Sequence, residues 1–419
     1  MRNNVNKISP RTSLISAVLV HASVEIPYFI FPVIVIVVGN DLDFFMTLGS
    51  FKWIALGLIG TAASLAIALP SPAFGWLADR YRRGAMMFYS LIIEACGALI
   101  IGLFGNSFVA LLTGTVLTGV GVSLYHPPGL SWVSSAYENP VEESYSQKFS
   151  GVLGIHGMGG TIGAAIAPLS VYLLIETFNW RYIYLLWVFP LLGLSLVFWL
   201  FIGRFEPENG DSVSTSSKKQ IIPTNEKRNL LGRNTSILSV FIFLFAISLV
   251  LGMISFILSP FLTEVKNLRI SEAAFFIGLS TLLGASGQLI GGFLGDKYGE
   301  KITLVLSTSF QVICLITIYI MTTYSVLLLF YILLSMTFSI FWPITSSLLA
   351  KLSSRRGSAF GWFMMTTNIV RALGPGIAGL LIIVDAQEYF LIFFFAILLS
   401  LVALLSILFS LTNKTLPDI

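Results

Sequence analysis

The segment Gly75-Trp-Leu-Ala-Asp79-Arg-Tyr recurs later in the chain as Gly292-Phe-Leu-Gly-Asp296-Lys-Tyr. Each copy follows an apolar run of about 20 residues, the length at which a helix crosses the hydrocarbon core of a bilayer. The two copies lie in different halves of the chain. The sequence therefore predicts two related halves, each made of membrane-spanning helices.

The composition of the 419-residue chain also indicates a membrane protein. Hydrophobic residues make up 56% of it and charged residues 11%, whereas a soluble protein carries about 25% charged residues. The same numbers exclude a disordered chain. The net charge of +4 is not gathered into a basic domain, so we expect no nucleic-acid partner. Long continuous apolar runs exclude a β-barrel, whose strands alternate apolar and polar residues.

The apolar runs predict twelve spans, and a polar stretch separates the first six from the last six. We expect an all-α integral membrane protein with an N-terminal six-helix bundle over residues 1–202, a linker over 203–234 and a C-terminal six-helix bundle over 235–419. The predicted spans, numbered 1 to 12 in chain order, lie near residues 13–38, 52–76, 85–105, 108–135, 148–175, 181–202, 235–262, 272–294, 302–322, 325–350, 357–384 and 389–412.

Lysine and arginine residues set the expected orientation. With the N-terminus in the cytoplasm, nineteen of the 24 Lys and Arg residues fall in cytoplasmic segments, four fall outside, and Arg371 lies within span 11. Cytoplasmic loops of membrane proteins carry an excess of positive charge. We therefore expect a multi-pass protein of the cell membrane with both termini in the cytoplasm.

Two further pairs of motifs support the internal repeat. Span 4 contains Tyr125-His-Pro127 and span 10 contains Phe341-Trp-Pro343, while spans 5 and 11 each contain a glycine and a proline fourteen residues apart. Parallel six-helix repeats are an architecture of secondary transporters. With these motifs the chain resembles the major facilitator superfamily over nearly its whole length.

The resemblance implies a gating role for the loop after span 2. The superfamily's signature there runs Gly-x-Leu-x-Asp-Arg-x-Gly-Arg-Arg/Lys, and this chain has Arg82 in place of the second glycine. In the superfamily the loop latches the two halves together in the outward-open state, and a charged loop without that role is the alternative. The residues to which the resemblance assigns gating, in both copies, are Gly75, Asp79, Arg80, Arg83, Gly292, Asp296 and Lys297.

Polar residues inside the spans are candidates for function, because burying them in a membrane is costly. His21, Glu25 and Tyr28 lie four and three residues apart in span 1 and share one face of a helix. Span 1 lines the central cavity in the superfamily, which implies that this face meets water. Desolvation disfavours the charged form of a carboxylate, so Glu25 is a candidate proton carrier. A Glu–His pair that only braces span 1 is the alternative.

The other two histidines lie in the same half, His126 in span 4 and His156 in span 5. We expect His21, His126 and His156 to relay protons with Glu25 or to hydrogen-bond a substrate. Imidazole and carboxylate also suit transition metals, so transport of a divalent metal is an open alternative. We expect no resident metal or cofactor.

Span 11 places a permanent cation inside the membrane. A central arginine costs about 2.5–3.5 kcal/mol on insertion scales, so Arg371 needs an anionic or carbonyl partner. Glu25, an anionic substrate and the carbonyls freed by Pro375 are the candidates. Glu94 in span 3 is expected to pack or to form a local hydrogen bond, because third helices are peripheral in the superfamily. The residues expected to bind substrate are Tyr28, His126, Gln288, Trp342, Asn368 and Arg371.

These features predict a monomeric secondary transporter that works by alternating access, with a small molecule, protons and the bilayer as its partners. Span 5 resembles the superfamily's antiporter motif, which favours proton-coupled efflux of a small organic anion or drug-like compound over proton-coupled uptake of a metabolite. The His126-Pro127 pair is similar to the fosmidomycin-resistance branch of efflux transporters.

Other classes of function are weighed against a transporter. A membrane enzyme or an ATP-driven pump is disfavoured because the chain has no His-Glu-x-x-His, Gly-x-Ser-x-Gly or phosphate-binding glycine motif. A lipid flippase and a transporter-like receptor remain open, because both occur on the same fold.

Overall fold

The computed structural model describes residues 7–137, 145–207, 237–352, 356–385 and 388–409. Within these residues twelve helical segments are long and apolar enough to cross a membrane, which confirms the predicted number of spans. Spans 1 to 6 are formed by helices Pro10–Asp41, Lys52–Ala68 with Ser71–Ala78, Arg83–Phe104, Phe108–Ala136, Tyr145–Leu174 and Trp180–Phe198. Spans 7 to 12 are formed by helices Ile237–Pro260, Ile270–Gly284 with Ser286–Tyr298, Glu300–Ile320, Tyr324–Leu352, Arg356–Val384 and Phe390–Phe409.

Capping residues explain why the helix of span 1 is longer than the apolar run that predicts it. In span 1 the Ser9 hydroxyl accepts a hydrogen bond from the Thr12 backbone N–H at 3.2 Å. Pro10 takes the first helical position, where no backbone donor is needed. The helix therefore begins three residues before the predicted position and continues to Asp41.

Short elements join the spans. A helix at Asp43–Thr47 and a 3₁₀ turn at Gly49–Phe51 connect spans 1 and 2. π-helical turns follow spans 6 and 7, at Trp199–Gly203 and Phe261–Val265. Two strands of two residues each, Lys7–Ile8 and Glu206–Pro207, pair in parallel. The predicted linker over 203–234 lies mostly outside the described residues.

Successive spans run in opposite directions, so each end of the molecule carries alternate connections. We call the two ends the Asp79 end and the Glu176 end, after a residue at each. At the Glu176 end the Trp180 indole N–H donates to the Asp41 carboxylate at 2.9 Å and ties span 6 to span 1.

The two halves meet mainly along five pairs of spans: 2 with 11, 5 with 8, 4 with 11, 1 with 7, and 5 with 10. Toward the Glu176 end one apolar core crosses the boundary, since it includes Val33 of span 1 and Phe256 of span 7. Toward the Asp79 end the described residues form separate clusters, one mostly in the first half around Trp132 and one in the second half around Phe341. The halves also touch at the Asp79 end, where Phe360 of span 11 joins the cluster around Trp132.

Candidate functional site

A cavity of about 270 Å³ lies between the halves. Spans 1, 2, 4 and 5 form one wall, and spans 7, 8, 10 and 11 form the other. The structure brings every residue predicted to bind protons or substrate to this cavity: His21, Glu25, Tyr28, His126, His156, Gln288, Trp342, Asn368 and Arg371.

The Glu25 carboxylate lies between two imidazole rings. Its Oε1 atom is 3.4 Å from His21 Nε2 and 3.0 Å from His126 Nε2. His21 is one helical turn before Glu25, and His126 approaches from span 4. His21 and Glu25 are each only 7% exposed. We call His21, Glu25 and His126 the His–Glu cluster.

The neighbours of the cluster fix which ring nitrogens carry hydrogen. His21 Nδ1 lies 3.0 Å from the backbone carbonyl oxygen of His156, and a carbonyl only accepts, so Nδ1–H is the donor. The Tyr125 hydroxyl donates to the Ala17 carbonyl at 2.7 Å. Its single hydrogen is then used, so His156 Nε2–H donates to the Tyr125 oxygen at 2.8 Å.

This arrangement leaves one contact that requires an added proton. With Nδ1–H of His21 committed to a carbonyl, its Nε2 atom in the neutral ring is an acceptor, and it faces Glu25 Oε1, also an acceptor. A proton on either atom turns the contact into a hydrogen bond. The same proton neutralises the negative charge that an ionised Glu25 would bury between neutral imidazoles.

Arg371 supplies the positive charge of the cavity. Its guanidinium carbon lies 5.8 Å from the centre of the Phe29 ring. Of its candidate partners, Glu25 forms no ion pair with Arg371, because the carboxylate contacts His21 and His126 instead. Within the described residues Arg371 forms no ion pair, and its side chain donates no hydrogen bond to the carbonyls near Pro375. The guanidinium therefore faces the cavity without a protein anion.

The other cavity residues are held by specific contacts. Gln288 Nε2 donates to the Thr161 hydroxyl at 2.6 Å and so joins span 8 to span 5. The Tyr28 and Ser64 hydroxyls are 3.0 Å apart. Contacts within the second half hold two more: Asn368 Nδ2 donates to the Met364 carbonyl at 2.9 Å, and the Trp342 ring is edge-on to Phe363 at 6.2 Å.

Asp79 joins the halves at its end of the molecule. Its carboxylate accepts a hydrogen bond from the Ser358 backbone N–H at 2.9 Å, and the Ser358 hydroxyl donates to the same oxygen. Ser358 lies in the first turn of span 11, where the helix dipole favours a negative charge. This is the contact that a latch needs.

Basic residues of the same loop have separate contacts. Arg83 donates to the Ser135 hydroxyl at 2.8 Å, and the Arg80 guanidinium lies 3.9 Å from the centre of the Trp76 ring. Gly75 is buried within the helix.

The second copy of the loop is described only in part. The Lys297 ammonium lies 5.0 Å from the centre of the Tyr298 ring. Gly292 has open space around its α-carbon. The side chain of Asp296 lies outside the described part of the structure, so its predicted gating role stays a prediction.

Glu94 lies apart from this cavity. It is fully buried in span 3 and packs against Gly121 of span 4. The expectation that Glu94 packs or forms a local hydrogen bond stays a prediction.

Comparison with known proteins identifies the family. The sequence model of the Major Facilitator Superfamily matches residues 14–324 and 240–418. The chain belongs to the major facilitator superfamily. It is therefore a multi-pass membrane transporter of the cell membrane and not an enzyme.

Two curated relatives show how far the similarity extends. The transporter is 27% identical to multidrug resistance protein MdtG of Citrobacter koseri over 265 residues, or 62% of this chain and 61% of MdtG. It is 23% identical to the uncharacterized MFS-type transporter YfnC of Bacillus subtilis over 263 residues, or 61% and 60% of the two chains. The matched stretch thus spans about three-fifths of these relatives.

Solved structures share the fold over nearly the whole chain. A bacterial homologue of the human lysosomal transporter Spinster, inward-facing and unoccupied, aligns with a TM-score of 0.70 at 16% identity and covers 98% of this chain and 100% of that one. The human organic anion transporter MFSD10 aligns with a TM-score of 0.69 at 17% identity over 96% and 100% of the two chains.

Sequence reasoning missed the partners that hold the transporter's site in place. Tyr125 belongs to a motif of span 4, but its position in the sequence does not indicate that its hydroxyl bridges His156 and Ala17. Thr161 and Ser358 have no sequence signal of their own. All three bind across helices, and a single sequence contains no record of which helix faces which.

Proposed function

We propose that this transporter moves a small organic anion out of the cell in exchange for protons, by alternating access of the central cavity. One observation carries the proposal: His21 and Glu25 present two acceptors to each other inside the cavity wall. With a neutral His21 ring that contact lacks a hydrogen, and a proton on either atom supplies one. A site that gains and loses one proton is what coupling to a proton gradient requires.

The cavity also supports an anionic cargo. Arg371 carries a permanent positive charge and has no anionic partner among the described residues. Arginine binds carboxylate and phosphonate through two parallel hydrogen bonds. The remaining walls are mostly apolar and aromatic, as in sites for drug-sized ligands. The proposed substrate is an aromatic or amphipathic organic acid.

Exchange requires that the proton and the substrate compete for one binding site, and the Glu25 carboxylate is that site. A hydroxyl or amide N–H of the substrate can donate to the Glu25 carboxylate only when that oxygen holds no proton. A proton arriving from the opposite side of the membrane then displaces the substrate's donor group. The relatives named multidrug resistance protein support export as the direction.

A thermal-shift panel tests the substrate class. Purified transporter is heated with aromatic carboxylates, aromatic phosphonates and aromatic cations of similar size. A ligand at 100 times its Kd stabilises a protein by about 2.7 kcal/mol, which is easily measured. We expect stabilisation by the anions. Stabilisation by the cations alone would overturn the anion proposal.

A divalent metal is the second candidate cargo. His21, His126 and Glu25 each offer a ligand atom, and these atoms all lie within 4.8 Å of one another, which is compact enough for one transition-metal ion. Vesicle uptake of zinc or manganese distinguishes the two cargoes. Metal accumulation without effect of organic anions would favour the metal.

We infer further that both termini lie in the cytoplasm, so that the Asp79 end faces inward, and that the molecule acts as a monomer of two bundles over residues 1–202 and 235–419 joined by the linker 203–234. The charge distribution of the loops supports this orientation.

A further inference from the structure

Glu176 bridges the two halves at the end of the molecule opposite Asp79. The Ser271 hydroxyl donates to Glu176 Oε1 at 2.5 Å. Glu176 follows span 5, while Ser271 lies in the first turn of span 8, which begins at Ile270. Ser271 is 4% exposed, whereas Glu176 is exposed, so the bond joins a buried hydroxyl to a carboxylate at the surface.

The contact between Glu176 and Ser271 resembles the contact between Asp79 and Ser358, but it lies at the opposite end of the molecule. Asp79 follows the helix of span 2 and binds Ser358 in the first turn of span 11. In each case a carboxylate just past one helix meets a serine at the start of a helix from the other half. Both serines stand two residues after an arginine, in Arg356-Gly-Ser358 and Arg269-Ile-Ser271. In both places the helix dipole favours the carboxylate.

We propose that Glu176 and Ser271 form a second latch, which holds the Glu176 end closed while the Asp79 latch holds the opposite end. The packing supports this role, because one apolar core crosses between the halves at the Glu176 end. A second polar contact crosses there too, from the Ser259 hydroxyl to the Val33 carbonyl at 2.5 Å. Opening that end requires these bonds to break.

The proposal rests on the alternating access of the proposed function, and it assigns opposite effects to the two latches. Loss of the Glu176 bond favours the state that is open at the Glu176 end. Loss of the Asp79 bond favours the state that is open at the Asp79 end. Loss of a residue that only stabilised the fold would lower the melting temperature without favouring either of the two open states.

Distances between two spin labels in the full-length transporter test the latch. Labels are placed at Val109 and Phe390, which are 68% and 47% exposed near the Glu176 end of each half, after the free cysteines Cys96 and Cys314 are replaced by alanine. The variants are Ser271→Ala and Glu176→Gln. The matched control is Glu272→Gln, since Glu272 binds Arg269 within span 8 and does not cross to the other half.

We expect Ser271→Ala and Glu176→Gln to raise the ratio of long to short distances by about threefold or more, because charge-assisted hydrogen bonds are the stronger kind. Glu272→Gln should leave the ratio unchanged, and Asp79→Asn should lower it. If Asp79→Asn shifts the ratio and neither latch variant does, the second latch is wrong and alternating access stands. If the wild type shows one fixed distance at every pH and with every anion of the panel, alternating access and the latch both fail.

Discussion

The backbone carbonyl of His156 holds the Nδ1–H of His21 at 3.0 Å and thereby turns the other nitrogen of that ring toward Glu25 as an acceptor. A histidine free to rotate or change tautomer would offer Glu25 a donor and need no further proton. The His156 carbonyl fixes both the tautomer and the orientation of the His21 ring. The proton requirement of the His–Glu cluster thus arises from the packing of span 5 against span 1.

Arg371→Lys should weaken the binding of aromatic carboxylates by about tenfold, because lysine keeps the charge but loses the planar two-pronged donor. Titration calorimetry with a carboxylate from the thermal-shift panel measures this. The control is Arg181→Lys, which changes an arginine outside the cavity that binds Asn179. Unchanged affinity in Arg371→Lys would make Arg371 a structural residue.

Asp79→Asn should preserve folding and insertion while slowing transport. The amide oxygen still accepts a hydrogen bond from Ser358, but the negative charge at the start of span 11 is lost. Transport rates in vesicles should fall about tenfold, since hydrogen bonds to charged groups contribute about 1.5–3 kcal/mol. A wild-type rate, with normal expression, would argue that the loop is merely a charged connection.

Gly163→Ala should destabilise the transporter. A Cβ at Gly163 would collide with the Ala22 carbonyl oxygen, so spans 1 and 5 would have to separate. Overpacking of this kind costs about 1–3 kcal/mol and should lower the melting temperature by several degrees. Gly193→Ala is the matched control, because open space surrounds Gly193. Equal melting temperatures for the two variants would contradict the close packing.

Cysteine labelling in intact cells tests the orientation. A cysteine at Phe178, which is 52% exposed at the Glu176 end, should react with an impermeant thiol reagent. A cysteine at Ser216 in the linker should be protected. The reverse pattern would place the Asp79 end outside the cell and invert the proposed direction of transport.

The number of spans was predictable from sequence because each apolar run reports its own length and hydropathy. The contact of His21 with Glu25 was also within reach, since a spacing of four residues places two side chains on one face of a helix. The approach of His126 to Glu25 could not be predicted, because it depends on how spans 1 and 4 are rotated about their axes.

Which of its candidate partners Arg371 contacts could not be read from the sequence for the same reason. Sequence shows that both charges are buried, but it does not show that two imidazoles reach the carboxylate first. The contacts of Glu176 and Asp79 with serines of the other half likewise join residues far apart in the chain.

The Glu25→Gln variant in reconstituted vesicles tests the central claim most directly. A glutamine supplies permanently the donor and the acceptor of a protonated glutamate, but it cannot release a proton. We predict that Glu25→Gln still exchanges labelled for unlabelled carboxylate at equal pH, because Arg371 still binds the anion, but more slowly than the wild type, because an amide accepts the substrate's donor group less strongly than an ionised carboxylate. It should not accumulate the carboxylate when a pH gradient is imposed. Accumulation at the wild-type level would contradict the account and place the coupling proton elsewhere.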